Sequence, residues 1–199
     1  MAYAPEPLTF FGGTQFSLNT DDTLRNATWT GPITLSPGAT MTVTRGGANP
    51  GSITILSVIT GSGAIIKDNA TLTLNLSGAN DYSGGTTLGT GTLKLGHATA
   101  LGTGPVTVNG GLLDLNGNSV TIGSLGGTAA GVIVDTSAGA GTTVLTVNQS
   151  VNATCACPIS NGVAKTVALT KTGAGILTLS NTNTFTGAAT ISGGTLKLG

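Results

Sequence analysis

Charge is nearly missing from this chain. Seven Lys or Arg and seven Asp or Glu occur among 199 residues, and the formal net charge is zero. Phosphate recognition requires clustered basic side chains, whereas Arg25, Arg45, Lys67, Lys94, Lys165, Lys171 and Lys197 stand singly. No nucleic-acid partner is therefore expected. Long hydrophobic runs are also absent: none approaches the roughly 20 residues of a membrane helix, so no membrane span is expected. The first residues, "MAYAPEPLTFF", lack a basic region followed by an apolar one, and no signal peptide is expected within this chain. Aromatic residues make up only 4%. Helical spacing of apolar residues, at three and four positions, is missing throughout.

Glycine is plentiful, with 33 copies, and hydrophobic residues reach 39%. Disorder combines low hydrophobicity with high net charge, and neither holds here, since mean hydropathy is positive. Short runs such as "TLTLNLSG" (71–78), "PVTVNGG" (105–111), "GVIVDTS" (131–137), "TVLTVNQS" (143–150) and "GILTLSNT" (175–182) alternate or run continuously apolar. They are rich in β-branched residues and bounded by Gly, Asn and Ser, which marks them as strands of four to six residues with turns between. The fold class expected is all-β.

The chain also repeats itself. Residues 74–96, "LNLSGANDYSGGTTLGTGTLKLG", lie over 177–199, "LTLSNTNTFTGAATISGGTLKLG", without a gap and with about half the positions identical. Asn80, Tyr82 and Gly84 fall on Asn183, Phe185 and Gly187. A period of about 20–25 residues, with two or three short strands and glycine corners in each unit, is a solenoid signature. In a parallel β-solenoid each coil hydrogen-bonds to its neighbours about 4.8 Å away. Leu, Val, Ile and Ala then point inward, Thr, Asn and Ser point outward, and glycine takes corners that need positive φ. Low charge follows, because like charges on adjacent coils would repel.

Residues 76–127 resemble the autotransporter-associated β-strand repeat, also called the passenger-associated transport repeat. The run Asn80, Tyr82, Gly84, Gly85, Thr86 is followed by "GTLKLG", "ALGTGPVTVNGG" and "LDLNGNSVTIGSL" in the family's order, and a partial second copy covers 171–199. The resemblance implies a right-handed parallel β-helix of bacterial passengers, displayed at the cell surface or outside the cell. It implies a part in passenger secretion and folding, with no catalytic residues. About eight or nine coils are expected, about 40 Å long at the strand spacing.

Residues 31–199 are expected to form the repeats. Five of the seven aromatics (Tyr3, Phe10, Phe11, Phe16, Trp29) crowd the first 29 residues, so 1–30 is expected to be a cap on the first coil or a segment that contacts another subunit. The chain stops on a coil motif containing Leu196 and Leu198. That leaves two readings: a stalk or passenger segment continued by neighbouring repeats of a longer chain, or a filament subunit. In the filament, Phe10, Phe11, Phe16 and Trp29 of one copy would cover Leu196 and Leu198 of the next, head to tail. A surface glycan or a receptor is the external partner left open.

"CACP" at 155–158 is the most conspicuous chemical feature. Two thiols one residue apart lack zinc spacing, and His97 sits in a different repeat. A Cys155–Cys157 disulfide is expected, with a strained bridge or two free thiols as the alternative. The surrounding 148–165 breaks the alternation and reads as a loop, either a partner contact or plain decoration. Polysaccharide cleavage needs converging carboxylates. Glu6, Asp21, Asp22, Asp68, Asp81, Asp114 and Asp135 mostly stand alone; Asp68 and Asp81 meet only if register aligns them. No enzyme, metal or cofactor is expected.

Overall fold

The computed structural model describes residues 6–17, 26–44 and 49–199, with the backbone alone described over 13–17. Tyr3, Asp21, Asp22, Arg25 and Arg45 lie outside the described residues. Among the described residues the structure is strand and turn, without helix, and every strand pair is parallel. The chain winds as a β-solenoid of about eight turns, each with three faces.

The first face carries Leu8–Phe10, Ile33–Leu35 and Ile59–Gly61 as one sheet, and Val120–Ile122, Gly141–Asn148, Lys165–Thr172 and Ala189–Ile191 as another. Between these sheets two coils pass as irregular chain, joined by backbone bonds such as Asp81 N to Ile59 O (3.1 Å) and Thr103 N to Tyr82 O (3.0 Å). The second face runs without a break in strand order from Gly13–Ser17 to Thr195–Leu198. The third face stacks Asn26–Trp29, Gly51–Ile55, the end of Ala64–Leu76, the end of Thr86–Leu95, Gly111–Asp114 and Gly131–Val134.

Alternation along each strand sends one set of residues inward, and the registers line those residues into columns. Ala27, Ile53, Leu74, Leu93, Leu113, Ile133 and Ile159 are register partners in turn on the third face, and all are buried. Each such aliphatic side chain contributes about 1.5–3 kcal/mol by leaving water. Outward positions form columns as well: Thr121, Thr146, Thr170 and Thr190 are successive partners.

Corners follow local chemistry. At Asn116-Gly117 both residues have positive φ, +47° and +80°, the pair favoured for a tight turn of this hand. The Asn116 amide donates to Leu95 O (2.8 Å) of the preceding coil.

Coil length varies. On the second face the register advances 19 residues from Val106 to Leu125, and 28 from Gly127 to Cys155. Leu8–Phe10, Gly13–Ser17 and Asn26–Trp29 each pair in parallel with a strand of the second coil. Within 148–165 the strand Ala153–Cys155 and a bridge from Ile159 to Ile133 tie otherwise irregular chain to its neighbours.

Candidate functional site

The repeated motif is a device for joining one coil to the next. Asn80 is buried, and its Oδ1 accepts the Ile59 N–H of the preceding coil (2.8 Å) while its Nδ2 donates to Ala100 O of the following one (2.7 Å). Asn183 repeats the first contact, accepting the Ile159 N–H at 2.9 Å. The glycine that follows also does one job twice. A Cβ on Gly84 would lie 2.4 Å from the Gly63 backbone, and one on Gly187 would lie 2.5 Å from Val167 O. Any side chain there would push adjacent coils apart.

The aromatic position differs between copies in a matched way. Tyr82 is fully buried, and its hydroxyl shares a 2.5 Å hydrogen bond with Thr86 Oγ1. Burial pushes the phenol well above its usual range, with the Thr86 hydroxyl acting in the opposite sense. In the second copy Phe185 replaces Tyr82 and Ala189 replaces Thr86, so both ends of the hydrogen bond vanish together. Removing one partner strands the other, whereas removing both is nearly neutral. Tyr82→Phe is expected to cost about 1–3 kcal/mol, and the double variant Tyr82→Phe/Thr86→Ala less than the two single costs combined, as read from urea unfolding midpoints.

The two copies do not sit on the same face. Residues 74–76 and 93–95 run up the third face, while 177–179 and 196–198 pair within the column that contains Cys155 and Gly127 on the second. Intervening coils of unequal length leave the second copy displaced by one face, and the local job of the motif survives the displacement.

Two lysines are buried inside the solenoid. Lys67 follows Ile65 at an inward position, where the strand bends and register shifts. Its ammonium donates to Asn69 O of its own coil (2.7 Å) and Thr90 O of the next (2.8 Å). Lys171 does likewise, donating to Thr172 O (2.5 Å), Gly173 O (2.8 Å) and Gly193 O (3.3 Å). Burial pulls Lys67 down to about 8, the Asp68 carboxylate acting in the opposite sense, and burial also lowers Lys171. An unfolded lysine titrates near 10.4. Above pH 8 the unfolded chain therefore binds more protons than the folded one, and stability rises with pH. The native chain is expected to gain melting temperature relative to Lys67→Met between pH 8 and 10.

The carboxylates are mostly tied into corners. Asp135 is buried and accepts the Gly117 N–H on both oxygens (3.0 and 2.9 Å), the Ser137 N–H (2.9 Å), the Ser137 hydroxyl (2.6 Å) and the Thr143 hydroxyl. Burial opposes its charge, but the hydrogen bonds from Ser137, Thr143 and Gly117 prevail and hold the carboxyl below its usual range. Asp114 accepts the Thr136 N–H (2.9 Å), the Thr136 hydroxyl (2.5 Å) and the Asn116 N–H (3.0 Å), with Lys94 3.7 Å away. Asp68 accepts from Thr90 (2.9 Å) at the bend after the second face, whereas Asp81 is on the first face; register does not bring them together. No group of three His, Cys, Asp or Glu able to hold a metal occurs among the described residues.

Cys155 and Cys157 are buried core residues with Cα atoms 5.2 Å apart, inside the range a disulfide spans. Phe10 is turned inward and buried. Trp29 packs partly against the core and donates Nε1–H to Gly31 O (2.7 Å). Phe16 is the register partner of Val43. Phe11 is 70% exposed beside the first coil and Leu198 73% exposed on the last, with Leu196 partly buried.

Parallel coils, interior ladders and carboxylates engaged in turns define a β-solenoid scaffold. The family model described as the passenger-associated transport repeat matches residues 68–95 and 169–198, which take in nearly all of both copies of the motif. Over 208 aligned positions the chain is 36% identical to the adhesin BmaC autotransporter of Brucella suis biovar 1 (strain 1330), a match covering 98% of this chain. The chain thus carries the passenger-associated transport repeat at these two stretches. It spans 5% of the length of that adhesin. No solved structure matches it.

Proposed function

We propose that this chain is a structural, non-catalytic passenger segment of a secreted or surface-displayed bacterial protein of adhesin type. The observation that carries this reading is the motif itself. Its asparagines and glycines are spent on contacts between successive coils, which is the work of a stiff spacer, and the adhesin relative is built from a much longer chain. A head-to-tail filament draws no comparable support, because Phe10 is a core residue.

The test places the chain between a secretion signal and an outer-membrane translocator barrel. Intact cells are expected to display it, with the coils resisting added protease. Retention inside the cell, or rapid digestion on the surface, would contradict the proposal.

A Cys155–Cys157 disulfide belongs to the same reading, since an oxidising exterior favours it. Chain secreted to the exterior and unfolded without reductant is expected to take up no alkylating agent, and two alkyl groups after reduction.

A further inference from the structure

We infer that a recess on the first face binds a neutral oligosaccharide. The first-face ladder is broken between Ile59–Gly61 and Val120–Ile122, and Asn148, Ser150 and Val151 of the long coil that follows line the edge of the gap. Two hollows of about 400 and 430 Å³ result, and they share Thr103 and Gly123, so they form one groove along the solenoid axis. From Asp81 to Ser150 it crosses four coils, three strand spacings or about 14 Å.

The chemistry of the groove selects its ligand. Thr103, Thr121, Ser124 and Ser150 offer hydroxyls that both donate and accept, while Val151, 64% exposed, adds an apolar contact. Half-buried Gly123 lines both hollows, so a ligand reaches the backbone there. The one ionisable group is Asp81, and neither hollow is lined by Lys or Arg. A polyanion would find no counter-charge. A chain of neutral sugars, with hydroxyls along its edges and C–H faces between them, fits a row of hydroxyls set beside the exposed Pro105 and Val151.

This inference stands apart from the passenger reading, because a groove can bind sugar wherever the chain is displayed. The experiment titrates the isotope-labelled 199-residue chain with cellotriose, maltotriose and mannotriose, with trigalacturonate as the anionic comparison, following backbone amide shifts. At least one neutral trisaccharide is expected to move Thr103, Thr121, Gly123, Ser124 and Val151 together, saturating in the millimolar range. Thr121→Arg/Ser150→Arg, at two exposed positions, is expected to weaken that binding by about tenfold or more, or 1.4 kcal/mol, while leaving the spectrum of the fold in place. No shift with any neutral trisaccharide, shifts confined to other faces, unchanged affinity in the double variant, or tighter binding of trigalacturonate would each overturn it.

Discussion

Tyr82→Ala is expected to destabilise the solenoid by about 3–5 kcal/mol, the range for deleting a buried aromatic ring. Tyr82 is the largest fully buried side chain among the described residues, and it sits where the first face carries irregular chain in place of a strand. The ring therefore fills space that a ladder does not bridge. Phe185→Ala, at the matching position, is expected to cost less, because Phe185 is only partly buried. Urea unfolding of the two variants against the native chain checks both the size and the order. Equal costs would mean that the motif acts through sequence-local contacts and that the stacked interior is unimportant.

Asp135→Ala carries the second large effect, about 3 kcal/mol or more at neutral pH. Its removal strands the buried Thr143 hydroxyl, at about 1–3 kcal/mol for an unsatisfied buried donor, and takes the partner from the less buried Gly117 and Ser137 N–H groups. The pH dependence has a definite sign. A carboxyl held below its unfolded value, near 3.9, contributes stability that is complete above that value and is lost as pH falls through the folded one. The native chain is thus expected to lose melting temperature in acid more steeply than Asp135→Asn, with the two curves converging at low pH. Parallel curves would show that the carboxylate is not held as its hydrogen bonds imply.

Much of the fold was legible because the interior obeys a simple parity. "TLTLNLSG" alternates, and Leu72, Leu74 and Leu76 are the buried set. The pairing of the two repeat copies located Asn80, Tyr82 and Gly84, whose roles the structure supplies. What sequence reading missed came from taking residue type ahead of parity. Lys67 two residues after Ile65, and Lys171 after Val167 and Leu169, continue inward columns, yet a lysine is normally assigned to the surface. Likewise Cys155, Cys157 and Ile159 are spaced two apart and all buried. Only Cys155 lies in a strand, but the inward parity continues past its end to Cys157 and Ile159, and attention to thiol chemistry concealed that.

Other features lay beyond local pattern. The displacement of the second repeat copy by one face depends on the summed lengths of intervening coils, which no single motif contains. The aromatic N-terminal region looked chemically distinct because Phe10 and Trp29 stand close in sequence. In the structure Phe10 is buried and Trp29 half-buried, on strands of different faces of the solenoid. The groove beside Thr103 and Ser150 arises from unequal coil lengths and a broken ladder, so only three-dimensional register reveals it.

The account rests on coils stacked in one particular register, and proton–proton contacts in the labelled chain measure that register directly. Cross-coil contacts are predicted between Thr87 and Thr107 and between Thr146 and Thr170, in the staggered pattern of parallel strands. Contacts linking neighbouring segments as antiparallel hairpins, or partners shifted by one residue, would contradict the solenoid and with it the role assigned to the motif.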